Sequence, residues 1–205
     1  MYISDTLTEV LQHLQGKGVV SLGDLSKLQN LTVAYLYDNE IESLEDLGSL
    51  RHLTHLYLQN NRISRIEGLY NLTKLKKLYL SHNCIERLEG LEVLWVVAHE
   101  PGFGLIWFSF NSVTGEQACT SLEELHLAHQ KPIGTLGSAS EHLELDTKSL
   151  IAIGSTLRFL DISFTSAREV APINVLWCLR ELHMQQTAIS DMSEVLIPSS
   201  NNPLC

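Results

Sequence analysis

Between residues 31 and 91, apolar residues return at fixed intervals while the positions between them change freely. Leu31, Leu53 and Leu75 stand 22 residues apart, as do Leu36, Leu58 and Leu80, and Ile41, Ile63 and Ile85. One polar residue keeps the same step: Asn39, Asn61, Asn83. Each unit reads L-x-x-(L/A)-x-L-x-x-N-x-I-x-x-(L/I)-x-x-L. Two shorter periods lie inside it. Leu56-Tyr57-Leu58 alternates inward and outward positions, which predicts a short strand. After the asparagine the apolar spacing becomes three: Ile41, Leu44, Leu47, Leu50, Leu53. A 3₁₀ turn keeps such a stripe on one face, whereas an α-helix rotates it by about 60° per step.

This is the leucine-rich-repeat pattern. It predicts an α/β solenoid with short parallel strands on the concave face and 3₁₀ or short helical turns on the convex face. Residues 1–205 are expected to form a single domain of about six repeats. The asparagine sits where the chain leaves the strand and turns. Its amide can donate to and accept from backbone groups that would otherwise be buried unpaired. Asn39, Asn61 and Asn83 are therefore expected to form a structural ladder.

Later units are less regular. Gln130, Thr165 and Thr187 occupy the asparagine position. Leu157 to Leu179 is again 22 residues, but Leu122 to Leu157 is 35. In the longer unit, "DTKSLIAIGSTL" places an aspartate before apolar residues at helical spacing and predicts an α-helix. At the other end Leu14, Val19, Leu22, Leu25 and Leu28 keep the phase of a degraded first unit.

Because the leucines face inward, the residues between them are free to carry function. The central column reads Tyr35, Tyr57, Tyr79, His126, Asp161, His183. Beside it run Tyr37, Gln59, Ser81, Ala128, Ser163, Gln185, and then Asp38, Asn60, His82, His129, Phe164, Gln186. Neighbouring strands lie about 4.8 Å apart, so Tyr35, Tyr57 and Tyr79 should stack as a strip of rings with outward hydroxyls. Tyrosine is rigid, amphipathic and favoured in protein interfaces. Candidate partner-binding residues on the concave face are Tyr35, Tyr37, Tyr57, Gln59, Tyr79, His82, His126, Asp161 and His183.

Net charge is -10, with 14 Lys and Arg against 24 Asp and Glu. That balance disfavours nucleic acid and anionic membrane surfaces. No run reaches the roughly 18 apolar residues of a membrane span, and the N-terminus lacks the basic start of a signal peptide. Cys84, Cys119, Cys178 and Cys205 show no paired spacing and are expected as reduced thiols. The histidines, His126 and His129 included, lack cysteine or carboxylate neighbours at ligand spacing, and no catalytic motif occurs. The expectation is a protein-binding module without enzymatic activity, metal or cofactor.

Two segments break the pattern. Asn83 to Gln130 is 47 residues, 25 more than one unit, and the excess falls at about 95–119. This irregular insertion holds Trp95, Phe103, Trp107, Phe108 and Phe110. One reading is a loop that docks an apolar partner; the other is a transcript or gene-model insertion, since its excision restores an ordinary unit. At the C-terminus "NNPLC" leaves the solenoid cap truncated or absent.

At "LTVAYLYDNEIESLEDL" and "LTHLYLQNNRISRIEGL" the chain resembles the 22-residue leucine-rich-repeat class of protein phosphatase 1 regulatory subunits. The likeness runs from about Leu31 to Leu91 and resumes at "SLEELHLAHQKPIGTLG" and "DTKSLIAIGSTLRFLDIS". It weakens after residue 165, and the insertion departs from it. The resemblance implies a non-enzymatic scaffold that binds the phosphatase catalytic subunit and adjusts its activity. It also implies a cytoplasmic location at the centrosome or microtubules, with tubulin or centrosomal proteins as further partners. A structural protein of the centrosome or cilium without a phosphatase role, or a truncated isoform, are the alternative readings. The chain carries no [RK]-[VI]-x-[FW] docking segment of the kind many phosphatase partners use. A phosphatase would therefore have to be held by the concave face.

Overall fold

The computed structural model describes residues 13–69, 71–91, 121–130 and 143–191. The 95–119 insertion, Cys119, Cys205 and the C-terminal cap region lie outside these residues. The strands in chain order are β1 (Val33–Tyr35), β2 (His55–Tyr57), β3 (Lys77–Tyr79), β4 (Arg87–Leu88), β5 (Glu124–His126), β6 (Glu144–Leu145), β7 (Phe159–Asp161) and β8 (Glu181–His183). Six of them form one parallel sheet in the order β1-β2-β3-β5-β7-β8. The leucine-rich-repeat solenoid is thus the observed fold. The register aligns Tyr35, Tyr57, Tyr79, His126, Asp161 and His183 across consecutive strands. The insertion and the 35-residue unit therefore leave the strand alignment unchanged.

The repeat positions fill one interior. Leu36, Leu58 and Leu80 are fully buried, as are Leu56, Leu78, Leu125 and Leu160 at the strand centres. A buried leucine contributes about 1.5–3 kcal/mol relative to an exposed one, so the shared interior is what binds unit to unit. Leu25 and Leu28 join this core, and Leu14, Val19 and Leu22 pack partly buried against it, as expected of a degraded first unit.

The spacing of three becomes a set of i→i+3 backbone bonds. Leu47 N–H donates to Leu44 O and Leu50 N–H to Leu47 O, and the same pattern runs through Leu69, Leu72 and Leu75. Formal 3₁₀ turns cover Glu45–Ser49 and Ala171–Val175. The 35-residue unit carries the predicted helix, α1 (Thr147–Ile153), whose N-cap Asp146 side chain accepts from Ser149 N–H at 2.9 Å. One feature departs from the expectation of turns alone: β4 and β6 pair in parallel as a second, two-stranded sheet. Glu144 N–H reaches Glu86 O at 2.8 Å, so the longer unit meets its neighbour edge to edge.

The asparagine ladder forms. Asn61 Nδ2 donates to Leu36 O at 2.9 Å and Leu58 O at 3.0 Å, and its Oδ1 accepts from Ile41 N–H at 3.0 Å. Asn83 repeats this with Leu58 O, Leu80 O and Ile63 N–H. Asn39 does the same with Leu14 O, Leu36 O and Val19 N–H. Each amide therefore joins two successive units. Gln130 performs the same task with a longer arm, donating to Leu80 O and Leu127 O and accepting from Ile85 N–H. Thr165 and Thr187 donate only within their own units, to Ile162 O and Met184 O.

Glycine is required where adjacent turns touch. A Cβ on Gly90 (φ +81) would lie 1.9 Å from Ile66 O, and one on Gly68 (φ +69) would lie 2.4 Å from Leu44 O. Cys178 is disulfide-bonded, against the expectation that all four cysteines are reduced.

Candidate functional site

In β1, β2, β3, β5 and β7 a buried centre is flanked by two outward residues, because successive side chains alternate across a strand; in β8 the centre, Leu182, is partly buried. The second outward position gives the predicted strip. Tyr35 and Tyr57 stack at 4.9 Å between ring centroids, and Tyr57 and Tyr79 at 4.7 Å. His126 continues the stack 4.3 Å from Tyr79. All four residues are half-buried.

The first outward position went unnoticed in the sequence. It reads Val33, His55, Lys77, Glu124, Phe159, Glu181. On β7 the ring comes from this column: Phe159 stacks on His126 at 4.5 Å and meets His183 edge-on at 4.9 Å. Asp161 is in register with the tyrosines but contributes no ring; its carboxylate accepts from Ser163 N–H at 2.9 Å. A six-ring run, Tyr35-Tyr57-Tyr79-His126-Phe159-His183, therefore crosses every strand of the sheet. A period of two counted back from the tyrosines points to Phe159 in the sequence.

The remaining candidates lie apart from this run. Tyr37 and Gln59 belong to the adjoining column and are half-buried, and Gln59 Oε1 is buried without a hydrogen-bond partner. His82 belongs to a third row. All six residues of that row have a left-handed backbone: Asp38, Asn60, His82, His129, Phe164 and Gln186, with φ between 51° and 59°. There the chain turns out of the strand, and Asn and Asp tolerate this conformation far better than most residues. His82, His129 and Phe164 stack at 4.5 and 4.2 Å, forming a second, shorter ring row.

Charge enters the face at its middle. Lys77 Nζ lies 2.8 Å from Glu124 Oε1, and Tyr79 Oη donates to Glu124 Oε2 at 3.2 Å. The bond to Glu124 raises the Lys77 pKa. Burial pushes Glu124 up, but the Lys77 ammonium outweighs it and the carboxyl ends below its usual range. Burial raises the Tyr79 phenol. His126 is pushed below the ordinary 6.5 by burial, which outweighs the pull of Asp161 and Glu124. It is neutral at pH 7, so its 3.9 Å approach to Glu124 is neither an ion pair nor a hydrogen bond there.

An open cavity of about 410 Å³ lies between β5, β7 and β8, with the Phe159 ring in its lining and Arg158, Arg180 and Glu181 around it. Among the described residues, no three His, Cys, Asp or Glu side chains are placed to hold a metal ion. Nor is any helix among them long and apolar enough to cross a membrane.

Residues 29–71 and 51–93 match the family model of Leucine Rich repeats (2 copies). No curated protein matches the chain in sequence. Among solved structures, the chain is similar to an internalin (inlF) of Listeria monocytogenes, with a TM-score of 0.65 and 24% identity over 93% of this chain and 46% of that one. The functional domain of InlJ from the same species aligns with a TM-score of 0.54 and 21% identity over 85% of this chain and 29% of its own. A leucine-rich-repeat protein of Leptospira interrogans gives 0.54 and 20%, over 80% of this chain and 33% of that one. The chain thus spans less than half the length of these three neighbours, and at such identities they establish the fold.

Proposed function

We propose that the chain is a non-enzymatic regulatory subunit that binds the catalytic subunit of protein phosphatase 1 through its concave face and modulates its activity. The observation that carries the docking site is the six-ring run across the whole sheet. Stacking alone needs no hydroxyl, yet three consecutive rings are half-buried tyrosines, and tyrosine ranks among the residues that dominate interface energetics. The choice of phosphatase rests on the sequence likeness of residues 31–91, and of the unit that follows the insertion, to protein phosphatase 1 regulatory subunit 42. The same likeness supports a place in the cytoplasm, at the centrosome or microtubules.

Capture of purified phosphatase 1 catalytic subunit by the full chain tests this reading. Tyr57→Ala combined with Tyr79→Ala should weaken capture by about tenfold or more, the loss expected when two interface anchors are removed. Undiminished capture would remove the tyrosines from the interface. Co-sedimentation with microtubules in the absence of phosphatase capture would instead point to a structural role at the cytoskeleton.

A further inference from the structure

The outermost row of the concave face, one residue before each strand, carries its charges unevenly. Lys76, Glu123, Arg158 and Arg180 follow one another just before β3, β5, β7 and β8, held in line by the bonds of Glu123 N–H to Lys76 O, Arg158 N–H to Glu123 O and Arg180 N–H to Arg158 O, each 2.8 Å. Glu123 is taken by Lys76, whose Nζ lies 2.9 Å from its carboxylate. Glu124, in the next column, is taken by Lys77 at 2.8 Å. Arg158 and Arg180 are left side by side, exposed, and without a carboxylate within 4 Å among the described residues. Two adjacent guanidiniums repel each other, and a chain of net charge -10 has carboxylates in excess to neutralise them. Among the described residues they form no ion pair, and they lie beside an apolar ring at the lip of the cavity.

We infer that this cavity is a docking point for an acidic segment of a protein partner, with the partner's carboxylates on Arg158 and Arg180 and a neighbouring apolar side chain on Phe159. Guanidinium and carboxylate match as planar forks, and such pairs are favoured at interfaces. The charge count selects the sign. With Glu123 and Glu124 occupied by their lysines, the lining keeps two positive groups, Arg158 and Arg180, against one negative, Glu181. The excess is one positive charge. The Phe159 ring adds the apolar contact that ties this point to the ring run. The inference rests on the concave face being the docking surface and adds the chemistry of what it takes at its β7–β8 end.

The probe is a capped, fluorescently labelled peptide of alternating Glu and Phe, compared with its Lys-for-Glu and phosphoserine-for-Glu counterparts, on the full chain. The Glu peptide should bind. Its affinity should fall about fivefold or more between about 50 and about 300 mM salt, because exposed charge pairs are screened. Arg158→Glu with Arg180→Glu should abolish binding by about tenfold or more with no change in melting temperature, both side chains being exposed. Tyr57→Ala with Tyr79→Ala should leave peptide binding in place. Equal binding of the Lys peptide, binding of the phosphopeptide alone, or indifference to the arginine reversal would overturn the inference. The two readings separate cleanly. Phosphatase capture lost with the tyrosines but untouched by the arginines leaves the proposed function standing and removes this site. Peptide binding through the arginines without phosphatase capture does the reverse.

Discussion

In the first three units each strand end is tied to the unit before it by an asparagine side chain; at β7 and β8 a threonine stands in its place and the tie is missing. Asn61 reaches two carbonyls in different units and accepts an N–H from a loop, while Thr165 reaches one carbonyl in its own unit. The outer faces differ in the opposite sense. On β1 and β2 the rings are uncharged tyrosines, whereas β7 and β8 present Arg158, Phe159, Arg180 and Glu181 around an open cavity. Where the buried backbone is satisfied by a repeating amide, units stack by identity. Where it is not, position is held by another device, here the packing of α1 against the 3₁₀ turn Ala171–Val175 of the β7 unit. The amide ties are thus weighted to one end of the sheet, and the two arginines without an ion-pair partner among the described residues to the other.

The largest expected effect breaks the contact between regular units. Gly90→Ala puts a methyl group 1.9 Å from Ile66 O at a φ of +81°, and neither backbone can give way without moving a repeat. A loss of about 3–4 kcal/mol in urea unfolding is expected. Gly23→Ala supplies the control. It has a similar positive φ and nothing within 4 Å of the new atom, so it should lose only about 1 kcal/mol, from the backbone conformation alone. Equal losses at the two sites would mean that packing between turns does not hold the regular half together.

The next comparison separates the ladder from its substitutes. Asn61→Ala leaves Ile41 N–H without its side-chain acceptor in the core and takes one of two asparagine donors from each of Leu36 O and Leu58 O, and should lose about 2–3 kcal/mol. Thr165→Ala removes the bond to Ile162 O and the long one accepted from Ala167 N–H, both within one unit, and should lose about 1 kcal/mol. A threonine loss as large as that of the asparagine would show that the later units depend on this position as much as the earlier ones.

Much of this contrast could be read from the residues. A 22-residue step fixes which leucines meet, because each coil can bury its apolar side only against the same positions of the next. The tyrosine strip follows from that phase, and the aspartate before "TKSLIAI" announces α1. Phe159 was missed because one outward column was followed where a strand offers two. The Lys77–Glu124 and Lys76–Glu123 pairs were missed for a different reason. Lys76 and Glu123 are 47 residues apart, and the insertion between them hides that they are neighbours until strand pairing is known. Gln130 was seen as a degraded asparagine, yet its extra methylene still reaches the same three backbone groups. The β4–β6 pair has no signal in the chain, since two-residue strands are too short to show a period.

His126 sits at the join between the two halves, and its titration gives the smallest and sharpest test. The ring is stacked between Tyr79 and Phe159, and burial holds its folded pKa below the ordinary 6.5. Above 6.5 both the folded and unfolded chains keep this residue neutral, and its contribution to stability is fully present. As pH falls through 6.5 the unfolded chain takes up the proton first, so stability drops until the lower folded pKa is passed. Unfolding midpoints at pH 7.5 and pH 5.5 should differ in that direction. His126→Phe keeps a ring between Tyr79 and Phe159 but cannot titrate, so it should narrow the gap by less than the Thr165→Ala loss. The other histidines cancel in this comparison, as they are common to both chains. A gap unchanged by the substitution would place the proton uptake elsewhere. A gap widened by it would mean that Glu124 and Asp161, which favour the imidazolium, outweigh burial at this ring.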